Sequence, residues 1–158
     1  PANYQIRLAL GCAVNPGDEV IIPDPSFVSY SSLINNIPAK AVRIPLREEK
    51  EFRLDPEEVE KAVTEKTKMI IINSPNNPTG SVMKPDEIKK IYKIAEKNNV
   101  YLLSDEVYAR VRYKENPEDK FHSPSQYDNC KERVIVVNGF SKAYAMTGWR
   151  IGGLHWAF

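Results

Sequence analysis

The chain has 158 residues, 42% hydrophobic and 27% charged, and its 22 basic and 21 acidic side chains leave a net charge of +1. That composition belongs to a folded chain, long enough for one domain with one sizeable core, and not to a disordered one. The balanced charge, without a basic block or a nucleic-acid motif, excludes nucleic acid and acidic membrane surfaces as leading partners; no apolar run approaches the ~20 residues of a membrane span.

In chain order, the opening Pro-Ala-Asn-Tyr shows neither an initiator methionine nor a signal peptide and reads as the interior of something longer. "EVIIP" (19–23) reads as a buried strand, followed by a helix over 25–37 with Ser26 as its cap. "AKAVRIPL" (39–46) is a second strand. A helix starts clearly at "LDPEEVEKAVT" (54–64): Asp55 is the N-cap, Pro56 the first helical residue, and Glu57 and Glu58 sit near the positive end of the dipole. "KMIIINSP" (68–75) is a third strand, apolar enough to be covered on both faces. "KPDEIKKIYKIAEKNNV" (84–100) is an amphipathic helix with Ile88, Ile91, Ile94 and Ala95 on one face and Lys89, Lys90 and Lys93 away from it. Further strands occupy 101–108, 133–140 and 150–154, and residues 112–132, with Pro117 and Pro124, form a long polar excursion.

Strand–helix alternation of this kind predicts an α/β layer fold around a mostly parallel sheet of about six strands. Ligands of such folds bind at the carboxyl ends of the strands. There the polar signals gather: "NSPNNPTG" after the third strand, "SDEVY" at the end of the fourth and "NGFSK" at the end of the fifth. The two cysteines, Cys12 and Cys130, lie far apart without metal-type spacing and read as free thiols of a reducing, cytoplasmic compartment.

Taken singly, the polar residues read two ways. Lys142 is either an exposed loop lysine or a desolvated amine of depressed pKa, suited to forming a Schiff base. Asp105 is an N-cap or a buried acid paired with a nearby arginine, or else a fixed negative charge facing a cationic ligand atom. Asn77 is a turn former beside Pro78 and Gly80 or an amide donor to a ligand oxygen. Tyr108 suits plain core packing; Phe27 reads first as a core residue, with stacking on a planar ring as its functional alternative. Ser141 and Arg150 flank Lys142 with the hydroxyl and guanidinium of a phosphate-type site.

The order "NPTG", "SDEVY", "SK…TGWRIG", preceded by "PGDEVIIPDPSFVSY", resembles the class I/II aminotransferases, pyridoxal-phosphate enzymes of fold type I, and within them the aspartate or aromatic aminotransferase branch. The resemblance covers nearly the whole chain and implies a three-layer α/β/α sandwich whose last strand runs antiparallel, the large domain of fold type I in truncated form. It implies transfer of an amino group from an amino acid to a 2-oxo acid, with Lys142 carrying pyridoxal 5'-phosphate as an internal aldimine and moving the proton at the substrate α-carbon. It further implies that Asp105 keeps the pyridine nitrogen protonated, Asn77 and Tyr108 bond the ring 3-oxygen, Ser141 and Arg150 grip the phosphate, and Phe27 stacks on the ring.

The chain departs from the family at both ends. Pro1 stands where the family has the glycine of the turn opening its first helix, leaving Ala2 and Asn3 to keep part of the phosphate site. The family's N-terminal segment and C-terminal small domain, with its arginine for the substrate carboxylate, have no counterpart, so residues 1–158 read as a single large-domain core. An open sheet edge is expected next to residues 150–154, favouring self-association, where the family forms homodimers. Weak turnover is expected of such a core; the alternative is a non-catalytic scaffold that binds cofactor weakly or not at all. A nucleotide-binding domain is disfavoured by the absence of GxGxxG and GxxxxGK[ST] sequences.

Overall fold

The computed structural model describes residues 2–113 and 120–156. Among them, strands β1 (Glu19–Asp24), β2 (Lys40–Pro45), β3 (Thr67–Asn73), β4 (Tyr101–Asp105), β5 (Val134–Gly139) and β6 (Gly152–Trp156) form one sheet in the order β2–β1–β3–β4–β5–β6. The first five are parallel and β6 runs antiparallel to β5. Parallel strands need crossovers, and these place helices on both faces.

One face is covered by α1 (Ala2–Ala13) and α2 (Ser29–Asn35), whose Ile6, Leu10, Tyr30 and Ile34 pack on Val20, Ile22, Met69, Ile71 and Leu103. The other is covered by α3 (Pro56–Ala62) and α4 (Pro85–Lys97), whose Val59, Ile88, Ile91 and Tyr92 pack on Ile21, Ile70, Ile72 and Leu102. These are the three layers expected. The apolar run Met69–Ile72 is buried throughout because alternate side chains enter the two cores. On α4, Ile88, Ile91, Ile94 and Ala95 are buried, while Lys89, Lys90 and Lys93 are exposed.

Local chemistry sets the helix starts. The Asp55 carboxylate accepts from the Glu57 N–H at 3.0 Å, with Pro56 in the first turn of α3; at α4 the Glu87 side chain accepts from the Lys84 N–H at 2.8 Å. Asp55→Ala removes the cap and an ion pair with Lys50. It is expected to lower stability by about 1 kcal/mol in urea unfolding, the usual cost of deleting such a cap.

Several expected boundaries move. Ser26 does not cap a helix: α2 begins at Ser29, its N-cap position is Val28, and no side chain caps it. The fourth strand stops at Asp105 and not at residue 108, since the Asp105 carboxylate accepts from the Val107 N–H at 3.3 Å and turns the chain. The fifth stops at Gly139, where α5 (Phe140–Ala143) starts. The sixth begins at Gly152, after a 3₁₀ turn over Thr147–Trp149 and a left-handed Arg150. Within the excursion, 3₁₀ turns occupy Pro124–Gln126 and Cys130–Glu132; Pro117, like Pro1, lies outside the described residues. Among the described residues β6 pairs on one side only, with β5.

Candidate functional site

The parallel strands β3, β4 and β5 end side by side, and the segments leaving those ends build a cavity of about 240 Å³. After β3, the turn through "SPNNPTG" is tied by Asn76 N–H to Ser81 O at 2.9 Å and Gly80 N–H to Asn76 O at 2.9 Å, with Gly80 in the left-handed region that glycine permits. The Asn77 N–H donates to Asn73 Oδ1 at 2.8 Å, which directs Asn77 into the cavity wall. After β4, the Glu106 N–H donates to Val137 O and the Ala109 N–H to Glu106 O, so the turn sets Tyr108 over the cavity. After β5, the short α5 delivers Ser141 and Lys142. Arg150 arrives with φ 55°, a conformation unusual for a bulky residue and of the kind found at functional sites.

The lining includes every residue singled out from the sequence: Ala2 and Asn3 at the start of α1, Phe27, Asn77, Asp105, Tyr108, Ser141, Lys142 and Arg150. It also includes Asn73, Val107, Gly139 and Thr147. Asn77 Nδ2 lies 3.5 Å from the Tyr108 hydroxyl, and Lys142 Nζ stands 5.8 Å from the centroid of the Tyr108 ring. Arg150 donates to the Thr147 carbonyl at 3.1 Å.

Asp105 is 3% exposed. Its Oδ2 accepts from the Tyr30 hydroxyl at 2.7 Å and its Oδ1 from the Val107 N–H, while Asn73 Nδ2 donates to its carbonyl at 3.0 Å. Burial pushes its carboxyl above the ordinary 3.8, against the pull of the Tyr30 and Val107 bonds. Burial likewise holds the Tyr30 phenol well above its usual value, and the adjacent Asp105 charge adds to the effect. The Ser141 hydroxyl oxygen is buried without a hydrogen-bond partner among the described residues. A buried acid held by neutral donors, a partnerless hydroxyl, a lysine amine and an arginine fork around one cavity suit a small polar ligand that carries both a cationic and an anionic group. Among the described residues no group of three or more His, Cys, Asp or Glu side chains is placed to hold a metal ion.

Two residues that support this site were not singled out from the sequence. Asn73 belongs to the polar cluster after the third strand, and its place at the strand end was the available signal. Tyr30 carries no such signal: it lies on the apolar side of α2, 75 positions from Asp105.

Residues 2–155 match the family described as aminotransferase class I and II. The chain is 46% identical over 151 residues to the aspartate aminotransferase of Pyrococcus abyssi, covering 96% of this chain and 38% of that one. It is 44% identical over 152 residues to aromatic-amino-acid aminotransferase 2 of Thermococcus litoralis, covering 96% and 38%. Its structure superposes on the crystal structure of the aromatic aminotransferase from Pyrococcus horikoshii OT3 with a TM-score of 0.92 at 41% identity, covering 98% of this chain and 41% of that one. The chain thus spans less than two-fifths of the length of these curated relatives.

Proposed function

The chain belongs to the class I and II aminotransferase family, and on that premise we propose that it is the cofactor-holding part of a pyridoxal-phosphate-dependent aminotransferase. One observation carries the reading: the residues that the family resemblance nominates, scattered from Ala2 to Arg150, line a single cavity at the carboxyl ends of the parallel strands. When bound, pyridoxal 5'-phosphate supplies an aldehyde that condenses with amines and a ring that accepts the electrons left at the substrate α-carbon.

The chain's own residues then divide the work. Lys142 Nζ would be the amine that holds the cofactor's aldehyde carbon and, when free of it, the base for the proton at the substrate α-carbon. Asp105, ionised in a buried setting, would keep a proton on the ring nitrogen by pairing with it. Asn77 and Tyr108, with Nδ2 and the hydroxyl 3.5 Å apart, would bond the ring 3-oxygen. Ser141 and Arg150 hold the phosphate, with Ala2 and Asn3 at the N-terminus of α1 beside them. Phe27, in the cavity wall, would stack on the ring. The substrates are an amino acid and a 2-oxo acid, and two copies of the protein associate, as the resemblance suggests. A cytoplasmic setting suits the thiols of Cys12 and Cys130, neither of which forms a disulfide. No helix among the described residues is long and apolar enough to cross a membrane.

The test is covalent trapping. The chain is incubated with pyridoxal phosphate, reduced with borohydride, digested and mapped by mass. The phosphopyridoxyl increment is expected on the peptide containing Lys142 and nowhere else at stoichiometric cofactor. Increments spread over surface lysines, with Lys142 unmodified, would overturn the reading in favour of a scaffold without a cofactor site.

A further inference from the structure

Tyr30 is completely buried and lies beneath the cavity without lining it. A phenol in that position needs a partner for its hydroxyl, and it has one, Asp105 Oδ2 at 2.7 Å. Its ring makes a second contact, edge-to-face with Phe27 at 5.7 Å between centroids and 86° between planes. Tyr30 therefore touches, from behind, both the acid at the cavity floor and the aromatic ring at its side.

We propose that Tyr30 is a positioning residue of the site: its hydroxyl fixes the Asp105 carboxylate in one rotamer as an ionised acceptor, and its ring fixes the plane of Phe27. The consequence for cofactor binding rests on the proposed function; the link from Tyr30 to Asp105 does not. A carboxylate buried among neutral groups has little to keep it charged. The groups facing Asp105 explain why one phenol matters. Asn73 and Asn77 come from β3 and the turn after it, and Ala2 and Asn3 from α1, all neutral. Glu106 and Tyr108 come after β4, and the Glu106 charge and Asp105 oppose each other. Lys142 and Arg150 line the same cavity, but neither forms an ion pair with Asp105. The donors to the carboxylate are Tyr30 and the longer Val107 N–H bond.

The experiment uses the cofactor-free chain labelled with ¹³C at aspartate carboxyls. The Asp105 resonance is identified by its absence from Asp105→Asn, and its midpoint is tracked against pH. In Tyr30→Phe, which deletes one oxygen and keeps the ring, the midpoint is expected to rise by about 1–2 pH units, the scale of one hydrogen bond to a charged group. An unchanged midpoint in a variant with native circular dichroism overturns the proposal. A second measurement needs no variant. In the wild-type chain the Tyr30 hydroxyl proton, protected from exchange, should move upfield as Asp105 takes up its proton, with the same midpoint. A hydroxyl signal indifferent to that titration overturns the proposal as well. Neither measurement involves pyridoxal phosphate, so a failure of the cofactor reading shows only in the trapping experiment.

Discussion

Asp105→Asn is expected to act in opposite directions on stability and on binding. At pH 7 the cofactor-free variant should be more stable than the wild type by roughly 0.5–2 kcal/mol, the usual gain when a strained functional group is relieved. Its affinity for pyridoxal phosphate should fall roughly 10²- to 10³-fold, the scale of leaving one member of a buried ion pair unmatched. The stability half comes from proton linkage. In the unfolded chain Asp105 titrates near the ordinary 3.8, while in the native chain burial keeps its proton on to higher pH. Between these two values the native chain binds more protons than the unfolded one, so this group's contribution to stability falls as pH rises. Asparagine has no proton to lose. The advantage of the variant should therefore grow as pH climbs through that window and vanish below about 3.8. Urea unfolding of both chains from pH 3.5 to 7, with cofactor titration at pH 7, measures both halves. A variant less stable at pH 7 than at pH 3.5, relative to wild type, would contradict the view that Asp105 is held ionised at a cost for the sake of a cationic partner.

That opposition explains which parts of the molecule were legible in its sequence. Elements fixed by local chemistry were readable: the apolar run Met69–Ile72 has the form of a doubly covered strand, Asp55 before Pro56 names its own helix start, and the buried stripe of α4 repeats at helical spacing. Boundaries fixed by side chains folding back on the backbone were less so. The fourth strand stops at Asp105 because that carboxylate takes the Val107 N–H, and α2 starts three residues after Ser26 because the Tyr30 N–H first bonds the Phe27 carbonyl. Similarly, the site's lining was readable because motif order nominates its residues, and sheet topology brings them to one edge. The support behind the lining depends on partners far apart in sequence. A tyrosine on an apolar helix face looks the same whether its hydroxyl meets solvent, a carbonyl or a buried acid.

Asn73 is the clearest case of such a hidden support, and its removal should be among the costliest changes at the site. It sits at the end of β3 and is 5% exposed. Its amide nitrogen donates to the Asp105 carbonyl at 3.0 Å, and its amide oxygen accepts from the Asn77 N–H at 2.8 Å. One side chain thus ties the turn that carries Asn77 to the strand end that carries Asp105. Asn73→Ala strips a partner from each of two backbone groups. With about 1–3 kcal/mol for each group left unsatisfied, the expected loss is roughly 2–6 kcal/mol, a large share of the ~5–15 kcal/mol that holds a domain together. The neighbouring Asn76 is nearly as buried, yet among the described residues its side chain bonds Thr79, inside the same turn. Asn76→Ala should therefore cost less, about 1 kcal/mol, and leave the Asp105 titration in place. Denaturation midpoints of the two variants, with the Asp105 carboxyl resonance as the local probe, separate a bridge from a turn. Equal losses and an undisturbed Asp105 in both would mean that the two strand ends are aligned by the sheet alone; a larger loss at Asn73 with a displaced Asp105 signal means that the alignment of the acid with the amide opposite it is carried by this one side chain.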